Sequence, residues 1–160
     1  MKEITLSTKL KAYDTTGELP ETYQQLLEKA RLALKESYAP YSHFHVGAAI
    51  LLENGSIALG ANQENAAYPM CLCAERVALS NAVMQQPGVP IVAIAITVHN
   101  PAKAIRVPAA PCGSCRQAIC EAESRQDKPI VLILQGSEGP IYVIESGNAI
   151  LPLGFHGGYL

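Results

Sequence analysis

Two short cysteine clusters carry the chemistry of this chain. The first reads Cys71-Leu72-Cys73-Ala74-Glu75-Arg76 and the second Pro111-Cys112-Gly113-Ser114-Cys115-Arg116-Gln117. Three thiolates with a carboxylate close by are what a catalytic zinc ion requires: three protein ligands, an open position for water, and a group that moves protons. A C-x-x-C pair alone also occurs in redox and structural sites. Joined to Cys73, and to Glu75 two residues further on, the pattern is far more specific. Cys112 and Cys115 stand at i and i+3 of a helical stretch and share a face. Cys73 also opens a helical stretch, and on a regular helix Glu75 would lie about 200° around from it. The ion is therefore expected off the helix end, facing two helix N-termini whose positive ends favour thiolate over thiol.

Zinc held by three thiolates carries net negative charge, which weakens it as an acid for water. Arg76, one turn beyond Cys73, is expected to donate to one or more of the sulfurs and draw density from them. Glu75 is read as the proton carrier beside a metal-bound water, not as a fourth ligand. Blander readings exist. The thiols could be core residues, Cys112 and Cys115 could form a redox dithiol, or Cys71 could complete a closed four-cysteine structural site. That last reading leaves Glu75 without a use. Cys120 reads as a helix-face core residue, and none of the four histidines has ligand spacing.

The surrounding pattern supplies elements to hold such a site. Leu26, Leu27, Ala30, Leu32, Ala33 and Leu34 recur at helical spacing and predict a helix over 21–37. A strand is predicted over 44–52 and another over 57–61. Asn54-Gly55 between them marks a hairpin. A loop over 62–70 leads to a helix over 73–83, ended by Pro87-Gly88. The β-branched run 91–98 reads as a central strand. A helix over 112–123, strands over 130–135 and 141–144, and a short helix over 145–150 complete the chain. This alternation predicts a three-layer α/β/α domain over residues 21–160, preceded by an N-terminal extension over 1–20.

The chain has 160 residues and a formal net charge of −2, with no basic stripe. A nucleic-acid partner is not expected from that balance. The N-terminus lacks the apolar run of a signal peptide. The longest apolar run is too short to span a bilayer. A cytoplasmic protein without a membrane partner is therefore expected, and its cysteines are better read as ligands or core residues than as disulfides.

Cys73-Ala74-Glu75-Arg76 together with Pro111-Cys112-Gly113-Ser114-Cys115-Arg116-Gln117 closely resembles the small cytidine deaminases with three cysteine ligands, whose signature is a known one. The resemblance extends to Ala39-Pro40-Tyr41-Ser42-His43-Phe44-His45-Val46-Gly47-Ala48-Ala49, to Gly60-Ala61-Asn62-Gln63-Glu64-Asn65-Ala66-Ala67-Tyr68-Pro69, and to Leu151-Pro152-Leu153-Gly154-Phe155. It implies an α/β fold with a five-stranded mixed sheet between helices, one zinc ion per subunit, and hydrolysis of cytidine and 2′-deoxycytidine in pyrimidine salvage. It implies that Cys73, Cys112 and Cys115 bind the metal and that Glu75 shuttles the proton. Asn62 and Glu64 would hold the ribose 3′-hydroxyl, the backbone of Ala74 would lie against the base, and Phe44 would pack on the substrate. Tyr68 and Phe155 match residues that help build a site across a subunit boundary, so a homotetramer is implied. Rival functions are a deaminase of another cytosine-bearing compound such as blasticidin S, and a zinc-stabilised binding module without turnover.

Overall fold

The structure, a computed structural model, describes residues 1–160. Its strands are β1 (Lys11–Tyr13), β2 (His45–Leu52), β3 (Ile57–Ala61), β4 (Ile91–His99), β5 (Val131–Gln135) and β6 (Ile141–Ile144). Its α-helices are α1 (Glu21–Ala33), α2 (Ala74–Gln85) and α3 (Gly113–Gln126). The sheet runs in the order β1-β6-β5-β4-β2-β3. Only β4 and β5 pair in parallel, and every other neighbouring pair is antiparallel. No helix is long and apolar enough to cross a membrane.

The α/β layering agrees with the sequence reading, but the sheet has six strands and not five. The additional strand comes from the segment read as an extension: Lys11, Ala12 and Tyr13 pair with Val143, Tyr142 and Ile141. Thr8 donates to the Ala149 carbonyl and Lys11 pairs with Glu145 at 2.6 Å. A three-residue strand has almost no local signature, because its stability comes from the partner edge it covers.

Alternation along the central strand sorts the two cores. Ile94 and Ile96 of β4 face α2 and α3 with Ala78, Leu79, Ala82 and Ile119. Ala93 and Ala95 face α1, where Leu26, Leu27 and Ala30 are buried. Each buried leucine contributes on the order of 2 kcal/mol by leaving water. Small residues on the α1 side allow a close approach. A Cβ on Gly47 would fall closer than 3.0 Å to backbone atoms of Ala30 and Leu34.

The second layer is locked by Glu123, a buried carboxylate on α3. It accepts from the backbone N–H of Ile130 at 2.7 Å and of Gly147 at 2.7 Å, from Ser146 Oγ at 2.6 Å, and from Asn148 Nδ2 at 2.6 Å. This single side chain ties the start of β5 and the short 3-10 helix Gly147–Ile150 to α3. Charge-assisted bonds of this kind are about twice as strong as neutral ones.

Candidate active site

Both cysteine clusters fold onto helix N-termini. Cys73 is the residue that caps α2 and Cys112 the residue that caps α3, and neither thiol bonds to its own helix. Cys115 lies in the first turn of α3, fully buried. Because Cys73 stands just outside α2 with an extended backbone, it and Glu75 need not diverge as two residues inside a regular helix would. The three Sγ atoms lie within 4.8 Å of one another, and those of Cys73 and Cys112 are 3.9 Å apart. Tetrahedral zinc with Zn–S bonds of about 2.3 Å sets its sulfurs about 3.8 Å apart, so spacing and donor chemistry both fit that ion.

Cys71 is not part of this group. Its Sγ accepts from the Asn65 N–H at 3.2 Å and faces the Asn65 carbonyl at 3.6 Å, fastening the loop before α2. Cys120 is buried against the Gly147 carbonyl, as a core residue would be. Arg76 departs from expectation: it is exposed and lies in the shallow groove between α2 and α3 with Leu79, Met84 and Arg125. No hydrogen bond joins it to a sulfur. One helical turn brings it near Cys73 in height but rotates it outward, so it acts on that thiol by charge alone. Arg116 is tied to two backbone carbonyls. Its Nε donates to the Pro111 carbonyl at 2.8 Å and its Nη1 to that of Ile150 at 3.0 Å, bracing the loop that carries Cys112. Gln117 donates to the Phe155 carbonyl at 2.7 Å.

The thiols divide the charge unequally. Sharing of the Cys115 proton, the Cys112 thiol and the Arg76 charge bring Cys73 down to about 6, whereas Cys115 is pushed up by that same contact and by burial. Cys73 is thus a thiolate at neutral pH. A group depressed in the folded state adds stability above its unfolded pKa and loses it as pH falls through the folded value. The metal-free protein is expected to gain stability as pH rises from about 6 into the ordinary thiol range. Zinc binding should release one more proton at pH about 5 than at about 7.5, because Cys73 must then deprotonate too. Calorimetry in buffers of different ionisation enthalpy measures that count. An equal release at both pH values would contradict the assignment.

The thiols of Cys73 and Cys112 open onto a cleft of about 280 Å³, with Cys115 buried behind them. Its wall includes the apolar Phe44, Val46, Leu72, Ile96 and Val98, and Asn62, Glu64, Glu75, Cys73 and Cys112 are among its polar members. No Lys, Arg or His lines it. Glu75 is 5% exposed, and burial pushes its carboxyl above the usual range, as does the negative charge of Cys73. A carboxyl in that state exchanges protons near neutrality more readily than an ordinary one.

Asn62 and Glu64 both border the cleft, each held by its own partners. Asn62 Oδ1 accepts from the Val46 N–H at 2.8 Å and from Ser37 Oγ at 2.6 Å, while its Nδ2 donates to the Phe44 carbonyl at 2.9 Å. Glu64 accepts from Ser42 Oγ and from the N–H groups of Tyr41 at 2.9 Å and Ser42 at 3.2 Å. These bonds lower its pKa, the Ser42 hydroxyl most of all. The carboxylate thereby holds the turn before Phe44, where His43 takes a left-handed φ of 54°. Ala74 is buried at the first position of α2. Tyr68 and Phe155 do not line this cleft. Tyr68 is exposed and meets Tyr41 edge-on, with ring centroids 6.3 Å apart, and Phe155 is exposed and stacks on Tyr159. The long-range partners of Asn62 and Glu64 leave no trace in local sequence spacing, and neither does the clasp made by Cys71.

Residues 20–131 match the family model of the cytidine and deoxycytidylate deaminase zinc-binding region. Cytidine deaminase of Halalkalibacterium halodurans is 40% identical over 122 residues, which cover 76% of this chain and 88% of that protein. Cytidine deaminase of Sporosarcina psychrophila is 42% identical over 99 residues, covering 61% and 68% of the two chains. Among solved structures, cytidine deaminase from Burkholderia pseudomallei superimposes with a TM-score of 0.72 at 37% identity, over 83% of this chain and 98% of that one. The Mycobacterium tuberculosis enzyme gives 0.64 at 27% identity, over 83% and 96%.

Proposed function

Since the chain belongs to the cytidine and deoxycytidylate deaminase family, we propose that it hydrolyses the free nucleosides cytidine and 2′-deoxycytidine to their uracil counterparts and ammonia. The observation that carries this reading is a cleft walled by apolar side chains and two carboxylates, with no cation among them. A phosphate or a polynucleotide would enter that field against repulsion, whereas a neutral nucleoside meets none.

Cys73, Cys112 and Cys115 would hold a zinc ion, which would supply an acidified water for attack on C4. Glu75 takes one proton of the attacking water and passes it to N3 of the cytosine as the oxygen–C4 bond forms, then takes the remaining proton from the new C4 hydroxyl and gives it to the amino group as the C4–N4 bond breaks. Ammonia leaves, and the ring becomes uracil. Phe44 presents an aromatic face to the flat ring. Asn62 and Glu64 take the ribose 3′-hydroxyl between them, one donating to its oxygen and the other accepting its hydrogen. The backbone of Ala74 lies against the base. Tyr68 and Phe155, exposed on their own chain, serve the site of a neighbouring subunit in a homotetramer. The role follows: pyrimidine salvage in the cytoplasm.

Ammonia release from a panel of cytosine compounds tests the reading. Cytidine and 2′-deoxycytidine are expected to turn over, with 2′-deoxycytidine 5′-monophosphate poorer by about a hundredfold in kcat/KM, the effect of roughly two to three kcal/mol of charge repulsion. Preference for the monophosphate, or turnover of blasticidin S alone, would overturn it.

A further inference from the structure

Asn62 is held in one orientation by a relay that ends on a histidine. Its amide could in principle sit either way round, but two backbone groups decide the matter. The Val46 N–H can only donate, so the atom 2.8 Å from it is the carbonyl oxygen Oδ1. The Phe44 carbonyl can only accept, so the atom 2.9 Å from it is Nδ2. Ser37 Oγ, 2.6 Å from Oδ1, must therefore spend its one hydrogen on Asn62. His45 Nδ1 lies 3.0 Å from that same hydroxyl oxygen. With the serine hydrogen already committed, Nδ1 must carry a hydrogen and donate it.

The count then closes. Both lone pairs of Oδ1 are used, by Val46 and Ser37, and one hydrogen of Nδ2 goes to Phe44. What remains to Asn62 is a single N–H, and Asn62 borders the cleft. Neither Ser37 nor His45 borders it; both are half-buried behind Asn62. His45 stands opposite His99 in the β2–β4 register, with ring centroids 6.4 Å apart.

We propose that Ser37 and His45 are positioning residues that fix the Asn62 amide as a pure hydrogen-bond donor and so set recognition of the sugar 3′-hydroxyl. This rests on the proposed role of Asn62 as a reader of that hydroxyl. Without the serine hydrogen, Oδ1 loses one of its two donors and the amide swings, so its free N–H spends less time on the substrate oxygen. Chemistry at C4 is untouched, so the cost falls on KM and not on kcat.

Steady-state kinetics of Ser37→Ala and His45→Leu with two substrates test this. One substrate is 2′-deoxycytidine and the other is 2′,3′-dideoxycytidine, which lacks only the hydroxyl in question. KM for 2′-deoxycytidine is expected to rise about tenfold, the worth of roughly one hydrogen bond, with kcat within about twofold. KM for the dideoxy compound should stay at its wild-type value. Ser37→Thr keeps a hydroxyl and His45→Asn keeps a donor close to the Nδ1 position, so both should restore discrimination. An equal loss on both substrates, or none on either, would overturn the positioning role. If Ser37→Ala does not fold, the His45→Leu and His45→Asn pair decides the question. Equal KM for the two substrates in the unaltered enzyme would instead refute Asn62 as the hydroxyl reader, and the relay proposal with it.

Discussion

Glu75→Gln is expected to leave a folded, zinc-loaded protein whose turnover falls by about a thousandfold or more. Positioned general acid–base catalysis contributes roughly two to four orders of magnitude, and the proposed reaction asks one carboxylate to move two protons. The substitution preserves volume in a residue that is 5% exposed, so packing should survive. It also removes a carboxyl that burial holds above its usual pKa. A raised acid contributes stability below its unfolded pKa and loses it as pH rises through the folded one. The metal-free glutamine variant should therefore be at least as stable as the parent at neutral pH and above. Thermal melting, metal content and ammonia release measure the three consequences. Turnover within tenfold of the parent would remove Glu75 from the proton path.

Gly60→Ala is expected to damage the site from behind. Gly60 lies on β3 under the first turn of α2, where a Cβ would come closer than 3.0 Å to the Ala74 carbonyl and to the nitrogen and Cα of Ala78. These are backbone atoms of a helix and have no rotamer by which to yield. Overpacking of this kind costs about 1–3 kcal/mol, or more where the obstacle is rigid, which lowers Tm by roughly 5–10 °C in a domain of this size. The same shift displaces Cys73, Ala74 and Glu75 together, so turnover should fall with stability. Gly113→Ala is the matched comparison, because a Cβ there meets nothing within 4 Å and helical alanine is favoured over glycine by up to about 1 kcal/mol. A Tm for Gly60→Ala equal to that of Gly113→Ala would mean that α2 is not seated on β3 as described.

What was legible in the sequence follows from how local each signal is. The convergence of three thiols could be read because candidate ligand chemistry admits few residue types: Cys73, then Cys112 and Cys115. The hairpin of β2 and β3 could be read because Asn54-Gly55 turns and the alternation around it share one short window. Helix α1 ends at Ala33, where the apolar spacing predicts 37, because its last turn tightens into the 3-10 helix Leu34–Glu36. Strand β1 was not legible, since Lys11-Ala12-Tyr13 becomes a strand only against β6, more than a hundred residues on. The outward direction of Arg76 was hidden because spacing gives height along a helix more readily than the neighbours it faces. Glu123 was hidden for another reason: its donors come from residues 130 and 146–148, and no window along the chain contains them all. Ser37, His45 and Asn62 belong to the same class, joined across the end of the sheet and not along the chain.

In the proposed reaction a metal ion held by three sulfurs powers deamination of a free nucleoside. The most direct measurement follows the ultraviolet absorbance of cytidine as it becomes uridine, using protein stripped by a strong chelator and then titrated with zinc. Activity should vanish on stripping and return in proportion to added zinc, reaching a plateau at one ion per chain. Turnover that survives complete removal of the metal, or cytidine left unchanged by the fully loaded protein, would contradict the account.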